Sequence, residues 1–244
     1  MEAERVLVKY IYGDGKGYIS LLQHMGVDKS VSDSARVSFN KDDSEVTELS
    51  EKDTKLIDYL AKHKHTTPFE HCAMTFRIKV PLYVAKQHMR HRTWSFNEIS
   101  RRYTSRDIDF YIPSSFRRQH KSNRQASVEG EDFNPALNEV HGSTLIWPNL
   151  ATIAANRHCV SSLKLYNDLL RSGVCREQAR MVLPQSTYTE YWATANLLNI
   201  IKFLKLRLAP DAQNEIRVMA QAMSEFVEEK YPETYRVCRE HFFI

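Results

Sequence analysis

Glycine and proline are scarce in this 244-residue sequence, at 7 and 8 residues, which excludes collagen-like repeats, flexible linker arrays and low-complexity disorder. Cysteine is scarcer still. Cys72, Cys159, Cys175 and Cys238 lie far apart with no CxxC pair, so neither a disulfide framework nor a structural zinc site is implied, and a reducing, cytoplasmic setting fits best. No run approaches the roughly 20 apolar residues that span a bilayer, and the opening "MEAERVLVKY" is too charged for a signal peptide. A soluble chain without a membrane partner is expected. HExxH and GxSxG, which mark zinc proteases and serine hydrolases with a nucleophile elbow, are both missing. "GDGKG" (13–17) has GxGxG rather than GxGxxG spacing and reads as a plain turn. There are no internal repeats.

What is present is ordinary for a globular protein, with 42% hydrophobic and 26% charged residues, enough for one domain of 1–244 with a substantial core. "RVLVKYIY" (5–12) and the unbroken alternation of "MTFRIKV" (74–80) predict strands, as does "TSRDIDFYIP" (104–113). "SEKDTKLIDYLAKHKH" (50–65) predicts a helix capped by Ser50 and ended before Pro68, and Pro81 suits the start of a helix through "PLYVAKQHMR". Residues 114–132 lose periodicity and read as a mobile surface excursion. From Leu137 onward the pattern is mainly helical, with a break at "STYTEYWA" (186–193), and Gly173 serves as a C-cap. Strands early and helices late predict an α+β fold, a complex single domain with a central mainly antiparallel sheet and a large helical layer.

The net charge of +4 is focused. "RHRTWSFNEISRRY" (90–103) alone supplies three of those units, from Arg90, Arg92, Arg101 and Arg102 set against Glu98. Arginine binds phosphate bidentately, stacks on flat rings and keeps its charge, which lysine does less well. A surface selected for DNA phosphates would mix in lysine and would not need Glu98. By itself the cluster suits a site for an aromatic anion, a nucleic-acid surface or a structural salt-bridge loop. Elsewhere, His63, His65, Glu70 and His71 are zinc-ligand types without zinc spacing. Cys159 follows His158, but helical neighbours point apart, so a thiol–imidazole pair is not implied.

Arg90, His91, Arg92, Ser95, Asn97, Glu98, Ser100, Arg102 and Tyr103 match the RHRxxSxNExSxRY signature at every fixed position, and the sequence resembles the flavin-dependent thymidylate synthases. "HTTPFEH" (65–71) is similar to the family's HxTPFEH segment, "ARVSF" (35–39) to its N-terminal element and "ARMVLP" with the later Asn196 and Arg207 to its C-terminal half. The resemblance runs from about Ser34 to Glu229, and 114–132 has no assigned counterpart. It implies conversion of dUMP to dTMP with 5,10-methylenetetrahydrofolate as carbon donor, FAD as hydride carrier and NADPH as reductant. It also implies no covalent enzyme nucleophile, no metal, no nucleic-acid partner, and a homotetramer with shared active sites. Carried over residue by residue, Gln87, Arg90, Glu98, Ser100, Arg101, Arg102, Arg180 and Arg207 would bind the nucleotide. Arg102 and Arg180 would hold phosphate, and Arg207 would act catalytically beside the uracil. Ser38, His65, Thr67, Arg90, His91, Arg92, Glu98 and Asn196 would contact FAD, with His65 also near the folate. The sequence departs from the family's NxRxxxNFxxxR segment at Leu198 and Lys202, where an arginine and an amide are usual.

Overall fold

The fold is described from a computed structural model covering residues 7–39, 48–124, 126–128, 130, 133–141 and 144–243. The strand expected at residues 5–6 and parts of the excursion expected at 114–132 lie outside the described residues. The architecture is α+β, with a five-stranded antiparallel sheet, a separate two-stranded sheet and eight α-helices among the described residues. The five-stranded sheet comprises β1 (Leu7–Ile11), β2 (Gly17–Met25), β3 (Ala73–Pro81), β4 (Ser95–Glu98) and β7 (Tyr188–Asn196), in the order β1-β2-β3-β7-β4. The chain divides into two compact units. The first holds Met1–Ile78, Gln87–Asn97 and Tyr191–Ile244, and the second holds Lys79–Lys86 and Glu98–Glu190.

In the first unit, the "GDGKG" turn closes an antiparallel hairpin in which Ile11 pairs with Gly17. Met74, Phe76 and Ile78 of β3 are buried while Arg77 between them is exposed, the alternation that a pleated strand imposes. Phe76 meets Phe226 of α7 (Asn214–Lys230) at a centroid distance of 6.2 Å, and α7 packs on α6 (Leu197–Arg207); Phe203, Met219, Met223 and Phe226 of these helices are fully buried. Each such side chain contributes about 1.5–3 kcal/mol by leaving water. α1 (Asp28–Arg36) and α2 (Glu51–Lys62) pack against α8 (Pro232–Phe242). Ser50 caps α2 as expected: its hydroxyl accepts from Asp53 N at 3.2 Å. Burial raises the Asp53 carboxyl, but hydrogen bonds from Ser50, Arg36 and Ser32 outweigh it and hold the group well below the usual carboxylate range. Gly26 is one glycine that cannot be replaced freely. Its φ is +82°, and a Cβ there would lie 2.7 Å from Cys72 Sγ.

In the second unit, β5 (Ala136–His141) and β6 (Thr144–Leu150) form an antiparallel hairpin ahead of the long helix α4 (Ala151–Arg171), followed by the short α5 (Arg176–Ala179). The helical reading from Leu137 is therefore corrected to strands up to Leu150. Pro148 explains it, because a proline inside a helix removes a hydrogen bond and clashes with the preceding turn. The strand predicted over 104–113 is also corrected: only Phe110 forms a bridge, to Thr187. Arg101 takes the carbonyls of Arg106 and Asp107, and Asp107 turns to φ +53°, so this stretch cannot present a regular ladder. Pro81 ends β3 rather than starting α3 (Leu82–His88). Within 114–133, Phe116 bridges Phe133 and Gln119 bridges Ser127, while Arg118 lies 4.0 Å from the Phe133 ring centroid. No described helix is long and apolar enough to cross a membrane.

α8 starts without a side-chain cap of its own. The distant Asp28 supplies one, accepting from Glu233 N at 3.0 Å and Thr234 N at 2.8 Å. Asp28→Ala should therefore lower unfolding free energy by about 1–2 kcal/mol, and Asp28→Asn by less, as measured by denaturant melts. Equal stability of Asp28→Ala and wild type would contradict the capping role.

Candidate active site

The signature begins where α3 ends. His88, the last residue of α3, is fully buried, and its Nδ1 lies 3.0 Å from the Tyr191 hydroxyl. Trp94, Phe203 and Phe96 surround its ring at centroid distances of 4.6, 4.8 and 5.1 Å. Burial, followed by the charges of His91 and Arg207, pushes the His88 pKa well down. The aromatic residues interleaved in the signature thus pack around a neutral core histidine. Their job is to anchor the loop.

Three residues on, His91 stacks edge-on against Phe203 at 5.0 Å and accepts a hydrogen bond at Nε2 from Arg207 Nε at 3.2 Å. Arg207, the last residue of α6, also donates from Nη2 to the Gln87 carbonyl at 3.4 Å. Both acceptors are neutral. Burial and the adjacent guanidinium push the His91 pKa down to about 4, which leaves Nε2 free to accept, and burial lowers that of Arg207. Arg90 and Arg92 are exposed and bond to no other described residue. Gln87, His91 and Arg207 are therefore brought together in the first unit, with Arg90 and Arg92 in the same turn.

Also in the first unit, Ser38, His65 and Thr67 line one cavity of about 640 Å³, together with Arg36, Lys64 and His71. α2 ends at Lys62, just before Lys64 turns to φ +58°, and Thr67–His71 follow as a 3-10 turn with Pro68 in its opening positions. Asn196 caps α6, its Oδ1 accepting from Asn199 N at 3.0 Å, and its Nδ2 donates to Glu70 of the same turn at 3.4 Å. Leu198 is 4% exposed, so that position faces the core in this chain, whereas Lys202 is exposed. The zinc-type residues His63, His65, Glu70 and His71 do not converge. Among the described residues, the ligand-type side chains that do are Asp58, Glu240 and His241, which are already engaged: His241 with Asp58 at 2.8 Å and Glu240 with Arg236 at 2.6 Å.

The division between units falls between Asn97 and Glu98, so the remaining signature belongs to the second. Glu98 Oε1 accepts from the buried Thr189 hydroxyl at 2.5 Å, and Ile99 N donates to the Glu190 carbonyl at 2.9 Å, which pins β4 along β7. Ser100 Oγ accepts from Arg102 N at 3.3 Å. Arg101 is held by two carbonyls, and burial lowers its pKa. Arg102 reaches the Glu177 carboxylate at 3.7 Å, while Arg180 Nε donates to the Glu177 carbonyl at 3.4 Å. The structure thus brings the two expected phosphate ligands, Arg102 and Arg180, to one residue. Thr189 and Glu177 were not anticipated. Thr189 lay in a segment legible only as strand, and Glu177 resembles any exposed helical glutamate.

The chain is similar to several known proteins. The family described as thymidylate synthase complementing protein matches residues 20–233. Flavin-dependent thymidylate synthase of Thermus thermophilus is 42% identical over 226 residues, covering 93% of this chain and 77% of its own length. That of Thermosipho melanesiensis is 40% identical over 220 residues, covering 90% and 89%. The chain belongs to the flavin-dependent thymidylate synthase family. It is an enzyme by that membership. By fold, the UMP/dUMP methylase PolB of Streptomyces cacaoi, solved with 5-Br dUMP, superposes with a TM-score of 0.77 at 31% identity over 93% of this chain and 96% of that one.

The Arg207–His91 bond makes this family member's site sensitive to acid. The unfolded His91 pKa is near 6.5 and the folded one about 4, so the unfolded chain binds the extra proton. Stability from this group is complete above 6.5 and declines as pH falls toward 4. The His91 ring should titrate near 4 by NMR, and His91→Phe should remove part of the acid-side slope of melting temperature. A ring that titrates near 6.5 would contradict the account.

Proposed function

We propose that this chain converts dUMP to dTMP, with 5,10-methylenetetrahydrofolate as carbon donor, FAD as hydride carrier and NADPH as reductant, and that no enzyme nucleophile bonds to the substrate. The observation that carries the reading is how the site's arginines are held: Arg207, Arg101 and Arg180 each bond to neutral acceptors, so their charge remains for an anionic ligand. Relatives named for the thymidylate reaction and for flavin favour dUMP, and a fold neighbour solved with 5-Br dUMP and with 5-Br UMP supports a pyrimidine monophosphate more generally.

In this reading Arg102 and Arg180 bind the phosphate, and Gln87, Arg90, Glu98, Ser100 and Arg101 complete the nucleotide set. Arg207 lies against the uracil. A guanidinium there stabilises negative charge on N3 and its flanking oxygens, which enriches C5 in electrons for attack on the methylene carbon. His91 orients Arg207 without cancelling its charge, because its acceptor is a lone pair. Hydroxyl, imidazole and ammonium groups around the Ser38–His65–Thr67 cavity fit the pyrophosphate and polar ring edge of FAD, and Arg90, His91, Arg92, Glu98 and Asn196 would join them. Bound FAD supplies the hydride chemistry, and the protein supplies orientation and charge.

The cysteines support a route without a thiol. Cys72, Cys159 and Cys238 are buried, and burial, with Asp28 adding to it, pushes Cys72 and Cys238 up to about 12. Only Cys175 is exposed, and it lies outside the signature. The homotetramer with shared active sites belongs to the same reading, and its mass in solution tests it. Arg207→Ala should cut dTMP formation about a hundred- to a thousandfold with the fold intact, while Cys175→Ser keeps wild-type turnover. An active Arg207→Ala enzyme or an inactive Cys175→Ser enzyme would sink the mechanism.

A further inference from the structure

Gln213 lies outside the arginine-rich signature, yet it sits in a relay that ends on the candidate site. Within the first unit, Gln87 Nε2 donates to Gln213 Oε1, and Gln213 Nε2 donates to Glu215 Oε2 at 2.8 Å. Glu215 is 4% exposed. The main-chain carbonyl of the same Gln87 accepts from Arg207. This relay has a polarity. A carboxylate has no hydrogen to give, so Glu215 takes the amide nitrogen of Gln213 and leaves the amide oxygen for Gln87. That oxygen can only accept, so Gln87 must turn its own Nε2 toward it. The oxygen of the Gln87 amide is then left on the opposite side, outside the relay.

A glutamine amide without such partners can flip, presenting a donor or an acceptor with little preference. Here a buried carboxylate two residues along forbids the flip. We propose that Gln213 and Glu215 are positioning residues that lock Gln87 as a hydrogen-bond acceptor, so that the site selects a nucleotide presenting a donor to it. The proposal rests on the reading of Gln87 as a nucleotide-binding residue. In dUMP the 3′-hydroxyl of the sugar is such a donor throughout, and the N3–H of the base is one in the neutral ring, before charge develops on N3. The phosphate, fully deprotonated, offers none. The Glu215 carbonyl is separately engaged by the Tyr12 hydroxyl at 2.9 Å, a main-chain contact that changing the Glu215 side chain leaves in place.

The test uses the full-length, flavin-loaded protein and two near-isosteric variants, Gln213→Met and Glu215→Gln, with dUMP, N3-methyl-dUMP and 2′,3′-dideoxy-UMP as probes. Each variant should raise KM for dUMP about five- to tenfold, the scale of one neutral hydrogen bond, with kcat within about twofold of wild type. The analogue that lacks the recognised donor should cost the wild type about tenfold in KM and cost the variants nothing further, because the acceptor is no longer fixed. Variants with wild-type KM, or an analogue penalty undiminished in the variants, would overturn the proposal and leave Gln213 a structural residue. Two analogues that bind wild type as well as dUMP would overturn it too. If the wild type binds no dUMP at all, the functional reading fails first, and this proposal with it.

Discussion

A guanidinium can be oriented by a carboxylate, which cancels its charge, or by a neutral acceptor, which leaves the charge available. This protein uses the two devices in different places. Arg36 with Asp53 is an ion pair that joins α1 to α2, while Arg171 with Asp168, and Arg236 with Glu233 and Glu240, are pairs within single helices. Arg207, Arg101 and Arg180 are held by an imidazole and main-chain carbonyls. Arg102 is intermediate, since its 3.7 Å contact with Glu177 joins two half-exposed groups and is worth no more than about 1 kcal/mol. An arriving phosphate could replace that contact at little cost. Focused, oriented and uncancelled positive charge is the property on which the proposed chemistry depends.

Helix α6 connects the two ends of the first unit's share of the site. Its start is fixed by the Asn196 cap, by Asn196 to Glu70 and by Leu197 N to the Cys72 carbonyl at 2.8 Å. Its end is Arg207. Eleven helical residues span about 16 Å, so the helix sets the distance from the 3-10 turn of "HTTPFEH" to the guanidinium at His91. The aromatic cluster around His88 packs Phe203 of α6 against the signature loop and keeps that spacing rigid. Leu198 contributes to this core rather than to a ligand, which gives a structural reason for an arginine's absence there.

Much of this was legible where local chemistry and long-range packing agree. Ser50 with Asp53, the alternation of "MTFRIKV", the helix ending before Gly173 and the later helical periods all follow from short-range rules. The resemblance that the signature carries implied half of the proposed site residues, and the segments outside it, from Ser38 to Arg207, implied the rest. The errors fell where pairing partners decide the outcome. β4 is four residues of mainly polar character that exist as a strand because Glu98 and Ile99 are pinned along β7. Among the described residues β5 and β6 pair only with each other, and 104–113 lost its strand to Arg101. α1, rich in serine, and α8, capped by a residue more than two hundred positions away, depend on tertiary contacts that no window of sequence contains. The same holds for Gln213, Thr189 and Glu177, whose places beside the candidate site come from the fold.

The central claim is that these uncancelled arginines serve flavin-assisted methylation of dUMP without an enzyme thiol. Measuring dTMP formation by the purified protein with FAD, NADPH, methylenetetrahydrofolate and dUMP omitted one at a time tests it most directly. The account predicts turnover with the complete set and loss of turnover on each omission, including that of FAD after the flavin has been stripped. Sustained dTMP formation by flavin-free protein would contradict it.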